Sequence, residues 1–351
     1  QYRILRKPTD MQSRKRNIIS QFVSVVLGAM LATVALSSCE RIFEDLDPCP
    51  HGVSLRFVYD YNMEFANAFP RQVDCLTLYI YDDKDNYVDT KIVTGAELQD
   101  EDYRMTLDLE KGNYHFVAYG GLACDKSSFS LLQAPAAGSK RTDLRAAMDA
   151  DCLTVPERRN LHDMFWGQLT LATADLYSEG TVKMMKNTNS IRIVLQHVDG
   201  TPVKADDFDF EIIDDNTLFN YDNDLLPNSD VTYIPWAKGQ AQTGVSIVGP
   251  DQVVPQPVEV AYAELSTSRL MTKNSPRLLV KRHEDGETVI DFPLNNYLLL
   301  MRSDRYSKMG DQEYLDRESR WTLYFFLQAG LWLQTRIVVN DWVVRINDIE
   351  M

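Results

Sequence analysis

Short runs in which apolar and polar residues alternate recur along most of this chain. Val53-Ser-Leu-Arg-Phe-Val-Tyr is the first. Asp74-Cys-Leu-Thr-Leu-Tyr-Ile-Tyr follows, and it puts Leu76, Leu78 and Ile80 on one side. A polar turn, Asp82-Asp-Lys-Asp-Asn, leads into Tyr87-Val-Asp-Thr-Lys-Ile-Val. Then come Tyr103 to Leu109, the turn Glu110-Lys-Gly-Asn, and Tyr114 to Tyr119. Successive residues of a strand point to opposite faces, so alternation marks a strand with one buried side. Short strands with a turn at every eight to twelve residues or so argue a β-sandwich.

Residues 122–160 interrupt the pattern. They are rich in Ala, Ser, Asp and Pro and read as a long crossover loop, with one helical turn at Thr142–Ala150. Strand character returns at Phe165 to Ala172. Near Ser178-Glu-Gly-Thr the chain restarts, with strands at Ser190–Leu195, Phe208–Ile213, Val258–Leu265, Arg277–Arg282 and Glu287–Phe292. Pro293 to Arg302 fits a strand or a helix, and Gln312 to Arg317 reads as one helical turn. The end holds three β runs: WTLYFFLQ, LWLQTRIVV and WVVRIND. The expectation is an all-β chain of two tandem sandwiches, 51–178 and 179–351.

The N-terminal segment has a different composition. Arg14, Lys15 and Arg16 precede 19 uncharged residues, Ile18 to Leu36, which end in Ser37, Ser38 and Cys39. A basic start, an apolar middle and small residues at the end make a secretory signal peptide. Met11 is a natural initiator for it, and residues 1–38 are set apart from the fold. The run is long enough to span a membrane. Against that, Ser20, Gln21 and Ser24 weaken it and no basic stop-transfer cluster follows. Leu36-Ser-Ser-Cys39 instead resembles a bacterial lipobox. Cleavage before Cys39 would free an N-terminus whose thiol carries a lipid, and residues 39–50 would be the lipidated tether. Each buried CH2 of an acyl chain holds a protein to a membrane by about 0.8 kcal/mol, so several chains anchor it permanently.

Charge narrows the partners. The chain has 36 basic and 51 acidic residues; segment 1–38 holds six of the basic ones and one acid, leaving 30 against 50. Phosphate backbones repel such a chain, so nucleic acid is not an expected partner. Without Cys39, four cysteines remain: Cys49, Cys75, Cys124 and Cys152. Four cysteines in an exported chain allow three pairings, of which Cys124–Cys152 and Cys49–Cys75 are expected; buried free thiols are the alternative. No C-x-x-C is present, and none of His51, His115, His162, His197 and His283 has metal-ligand spacing to another. The acidic turns at 82–86 and 222–224 lack the glycine and closing glutamate of a calcium loop. No hydrolase, phosphate-binding or dinucleotide motif occurs. The reading is therefore of no enzyme, no metal, no cofactor beyond the covalent lipid and no small-molecule substrate.

The order of segments then becomes informative. CPHGVSLRFVYDYN (49–62), LTLYIYDDKDNYV (76–88), LEKGNYHFVAYGGL (109–122) and HDMFWGQL (162–169) fill the first half. KNTNSIRIVL (186–195), DDNTLFNYDNDLL (214–226), VTYIPW (231–236) and RIVVNDWVVRINDIEM (336–351) fill the second. This series resembles the FimB-type minor fimbrial subunits, the lipoprotein anchors of type V pili. The resemblance implies two transthyretin-like sandwiches on a lipid-anchored protein of the outer membrane, exposed at the cell surface. Its role there would be the base of a fimbrial shaft and a stop on its growth. The partner implied is a fimbrial shaft subunit, and the lipid falls on Cys39.

Pili of this kind join by strand donation, in which a segment of one subunit completes the sheet of the next. The segment 337–351 is the candidate donor. Ile337 and Val339 open it; Trp342, Val344 and Ile346 share its apolar side. It fits equally well as the last strand of its own domain. The first half is expected to keep its own strand at 53–59. A rival reading is a surface adhesin or glycan binder outside any pilus, with Trp236, Trp332 and Trp342 as a sugar platform.

Overall fold

The alternating runs form strands in a computed structural model that describes residues 52–174, 177–243, 246–248, 252–254, 258–328, 331–339 and 342–345. Side chains are described except at 243–257 and beyond 328. The first half contributes β1 (Val53–Val58), β2 (Leu76–Asp82), β3 (Tyr87–Val93), β4 (Met105–Leu107) and β5 (Gly112–Gly120). After β6 (Phe129–Leu131) and β7 (Arg145–Met148) come β8 (Phe165–Thr173) and β9 (Ser178–Lys186). Seven of these nine make one sheet in the order β3-β2-β5-β8-β9-β1-β4. Its first strand meets its last in parallel, Val53 to Val58 alongside Ser178 to Lys183. One face buries Leu55, Phe57, Leu76, Leu78, Ile80, Phe116, Phe165 and Val182 in a core that Leu98 and Phe69 complete; Phe69 opens the short helix α1 (Phe69–Gln72).

The second half contributes β10 (Thr188–His197), β11 (Phe208–Asp214), β12 (Leu218–Asn220), β13 (Val231–Tyr233), β14 (Ala237–Thr243), β15 (Ser246–Val248), β16 (Gln252–Val254) and β17 (Val258–Ser268). It ends with β18 (Arg277–Arg282), β19 (Thr288–Pro293), β20 (Arg320–Gln328), β21 (Leu331–Val339) and β22 (Trp342–Arg345). A six-stranded sheet, β14-β17-β10-β20-β21-β22, and a four-stranded sheet, β13-β11-β18-β19, share one core. Ile191, Ile193 and Leu195 of β10 meet Phe208, Phe210 and Ile212 of β11 there, each set spaced by two as the alternation requires.

Two sequence expectations change, and two helical readings hold. The sandwich boundary expected at 178 falls at the start of β9, which the first sheet needs as partner of both β8 and β1, so the change of sheet comes at Asn187. Of the helical turn expected at 142–150, only its start lies in a 3-10 turn, Arg141–Asp143; Arg145–Met148 is strand β7, because Ala146 and Met148 alternate into the core. The real helix, α2 (Asp151–Thr154), follows it. Pro293 to Arg302 resolves as helix α3 (Leu294–Leu300), and the predicted turn near 312 is helix α4 (Asp311–Arg317).

The segment between β5 and β8 is more than a crossover. β7 pairs on one side with β6 and on the other with β12, Phe219 opposite Ala146. Phe129 meets Phe219 edge to face at 6.0 Å. The second face of the first sheet, with Tyr79, Tyr81, Val117 and Tyr119, joins the same core as the second half. At that junction Asn187 and Asn223 exchange reciprocal amide hydrogen bonds of 2.7 and 3.0 Å. Arg269 there holds Asp316 with two bonds, at 2.7 and 2.8 Å. Buried polar contacts of this kind add little net stability, but breaking one partner is costly, so they fix one arrangement.

Candidate functional site

Strand β1 is the part of the first half on which a strand-exchange reading turns, and it is held along its length and at both ends. Val53, Leu55 and Phe57 are buried, and Phe57 stacks on Phe69 at 5.8 Å between ring centres. β9 pairs with all six residues and β4 with three. At the upstream end Gly52 has φ +119, and a Cβ there would lie 2.1 Å from the Leu107 carbonyl oxygen. Only glycine lets the backbone approach β4 so closely.

At the downstream end a tight loop follows. Tyr59 is buried against Phe165 at 5.0 Å, edge to face. The Asn67 side-chain oxygen accepts from the Tyr59 and Phe69 amides at 3.0 and 3.1 Å. The Asn62 amide donates to the Tyr59 and Ala66 carbonyls at 2.9 and 2.8 Å. This network holds Phe65 at φ +53, a conformation that bulky residues rarely adopt. Arg317 of α4 lies over Tyr61 at 4.1 Å and over Phe65 at 4.7 Å, while Glu313 accepts from its Nε at 2.7 Å. Asp60 pairs with Lys183 of β9. The exit from β1 is thus fastened to its own sheet and to a helix of the second half.

The cysteines pair differently from the expectation. Cys75 is bonded to Cys124, with Cα atoms 5.8 Å apart. Cys75 immediately precedes β2, whose first residue Leu76 lies opposite Gly120 at the end of β5, and the Gly121 amide donates to the Cys75 carbonyl at 3.0 Å. The two cysteines therefore flank paired strand ends. That excludes both expected bridges, Cys124–Cys152 and Cys49–Cys75. Cys152 is a free thiol in α2, buried in the shared core, and burial pushes its pKa up and keeps it unreactive. Cys49 lies outside the described residues, as does the lipid candidate Cys39 with the rest of segment 1–50. Among the described residues no helix is long and apolar enough to cross a membrane.

The candidate donor segment divides. Ile337 and Val339 lie in β21, which has β20 on one side and β22 on the other: Ile337 faces both Leu323 and Val344. Trp342 and Val344 lie in β22, the last strand of the six-stranded sheet, with nothing beyond it among the described residues. Ile346 lies outside the described residues. The described part of the segment is thus the end of its own sheet, and of its strands only β22 has no further neighbour among the described residues.

The acidic turns have local work. Asp82 accepts from the amides of Lys84 and Asn86 and from the Asn86 side chain, each at 2.8 Å, and these bonds lower its pKa. Asp224 pairs with Lys273. His162 binds Asp74 at 2.8 Å, and Asp163 binds the buried Lys186 at 2.7 Å. Of the three candidate sugar-platform tryptophans, Trp236 is exposed, at 40%. The side chains of Trp332 and Trp342 are outside the described set. Sequence reasoning missed the Arg317 clamp; the pair it makes with Tyr61 and Phe65 joins residues some 250 positions apart, and nothing local announces it.

Comparison with known proteins adds the family. The fimbrillin-A associated anchor proteins Mfa1 and Mfa2 match residues 46–348. A crystallised candidate adhesin of Bacteroides thetaiotaomicron is 61% identical, with 86% of this chain and 100% of that one covered and a TM-score of 0.78. A candidate polysaccharide-binding protein of the same organism is 30% identical, over 86% and 100%, with a TM-score of 0.72. The fimbrial anchor protein Mfa2 of Porphyromonas gingivalis shares the fold at 13% identity, over 85% and 99%, with a TM-score of 0.59. No curated protein matches. A mostly-β chain with this pattern along its length belongs to the fimbrillin-A associated anchor protein family, a fimbria-associated family of the cell surface.

Proposed function

We propose that this chain is lipidated on Cys39, sits on the outer membrane and fixes a fimbria there as its terminal subunit. The observation that carries the reading is the filled β1 position of the first sheet. A subunit that accepts a neighbour's strand must open a slot in its sheet, and here β1 fills the slot between β9 and β4 with its own buried side chains. Toward the other end of the chain β22 has no strand beyond it among the described residues, and an edge strand is a template for pairing. A subunit that joins through β22 and offers no slot in its first sheet would end a shaft. The partner is a fimbrial shaft subunit. Membership of an anchor family and the acidic tether after Cys39 support the same reading.

The test is Cys39→Ala in the native host, with fimbriae recovered from cells and from medium. Fimbriae shed into the medium, together with the unlipidated protein, are the expected result. Fimbriae that stay on the cells, with a wild-type N-terminus that carries lipid on Cys39 by mass spectrometry, would refute anchoring by this chain.

A second reading keeps the chain at the surface as a glycan binder. The exposed Trp236 and the candidate polysaccharide-binding relative favour it. Loss of binding to a glycan array in Trp236→Ala, with fimbriae unchanged, would select it.

A further inference from the structure

The first sheet has an open edge of its own. β3 pairs with β2 on one side only. At its start the outer side is covered: the Tyr87 amide donates to the Ser139 carbonyl at 3.0 Å, and Asn86 bridges to Lys140. From Val88 to Val93 nothing among the described residues pairs with it. Val88 and Ile92 on this strand are 43% and 58% exposed. The Thr90 amide, with no strand beside it, takes the side chain of Asp89 at 2.8 Å instead. Asp89 also pairs with Lys91 at 2.7 Å.

The run Asp89-Thr-Lys91 is complementary to itself when rotated by half a turn. We infer that β3 is a homodimerisation edge, which pairs antiparallel with β3 of a second copy about a two-fold axis through Thr90. In that register Asp89 lies opposite Lys91 of the second copy, and Lys91 opposite its Asp89. Val88 is the extra residue where the register of β3 against β2 shifts between Ile80 and Tyr81, so the regular ladder begins at Asp89. Opposite charges directly across an antiparallel ladder stabilise it, and like charges oppose it. Moving the axis by one residue puts Lys91 opposite Lys91, or Asp89 opposite Asp89. The charges therefore select one register, and a lysine that ordinarily guards an edge becomes part of the match. Each Thr90 amide exchanges its Asp89 contact for the carbonyl across the axis.

The pairing has natural limits. The insert covers Tyr87 and the register shifts at Val88, so about three residues of each copy, Asp89 to Lys91, can join in regular register. Stable interfaces bury about 1,200–2,000 Å². A joint this short gives a weak, reversible dimer by isologous contact. The inference uses neither Cys39 nor β22 and stands apart from the fimbrial reading.

Sedimentation equilibrium of the full chain in detergent, over a concentration series, tests it with charge swaps. The wild type should dimerise reversibly. Lys91→Asp and Asp89→Lys should each weaken the dimer about tenfold or more, and the double variant Asp89→Lys/Lys91→Asp should restore it. Both substituted side chains are about half exposed, 47% at Asp89 and 48% at Lys91, and circular dichroism checks that each variant is folded. A wild type that stays monomeric at every concentration overturns the inference. So do single variants that dimerise as the wild type does, or a folded double variant that stays as weak as the singles.

Discussion

β1 and β22 stand at opposite ends of the described chain, and they are held in opposite ways. β1 has a neighbour on each side, a buried face, a glycine pressed against β4 and a clamped exit loop. β22 has one neighbour, four paired residues and no strand beyond it among the described residues. Both runs alternate in sequence. What separates them is the number of partners that the rest of the chain supplies, and that number decides which strand could take part in exchange.

The largest test of this difference removes packing under β1. Phe57→Ala should cost about 3–5 kcal/mol of unfolding free energy in denaturant titration, as large-to-small changes in a packed core do. If it costs less than about 1 kcal/mol, β1 is not held by its core. The Cys75–Cys124 bridge closes a loop with a sequence separation of 49 next to the same core. Replacing both cysteines by Ala should cost about 2–4 kcal/mol, measured the same way under non-reducing conditions.

A carboxyl in the second half should act in the other direction. Asp214 ends β11 and is 5% exposed, and burial raises its pKa from 3.8 to about 6. The folded chain then holds a proton that the unfolded chain has lost, so stability falls as pH rises from 3.8 to about 6 and stays lower above it. Asp214→Asn should therefore gain on the order of 2–3 kcal/mol at pH 7 and little at pH 4. Phe57→Ala removes no titrating group, so its cost should be the same at pH 4 and at pH 7. A flat pH profile for the wild type would remove this contrast.

Smaller effects sharpen the comparison. Arg317→Ala removes a cation held over two rings and should cost about 1–2 kcal/mol, with faster exchange at β1 than at β17. Ending the chain after Val339 removes β22 and should change global stability by less than about 1 kcal/mol, since an edge strand opens locally. A truncation as costly as Phe57→Ala would show that β22 is no open edge.

How much of this was legible depends on distance along the chain. β1, β2, β3, β8 and β20 were readable because each carries its own alternation. β7 was not: its four residues, Arg-Ala-Ala-Met, are too few to show a period, and their strand state depends on β12 more than 70 positions away. The boundary moved by one strand because β9 looks like the opening of a new domain until its parallel partner β1 is known. The disulfide was misassigned for a related reason. Cys124 and Cys152 flank a loop in sequence, but Cys75 and Cys124 flank paired strands in space. The pairing of the expected strands 74–81 and 114–119 carries that clue. The Asp89–Lys91 match on β3 needed only the knowledge that β3 is an edge.

The central claim is that β1 is held between β9 and β4 by its own chain, while β22 ends its sheet with nothing beyond it among the described residues. Native-state hydrogen exchange read by mass spectrometry on peptides covering 53–58 and 342–345 tests it directly. The account predicts that the β1 amides exchange among the slowest in the chain, through global unfolding, and that the β22 amides exchange orders of magnitude faster through local opening. Equal rates in the two peptides, or a β1 that exchanges faster than β22, would contradict it.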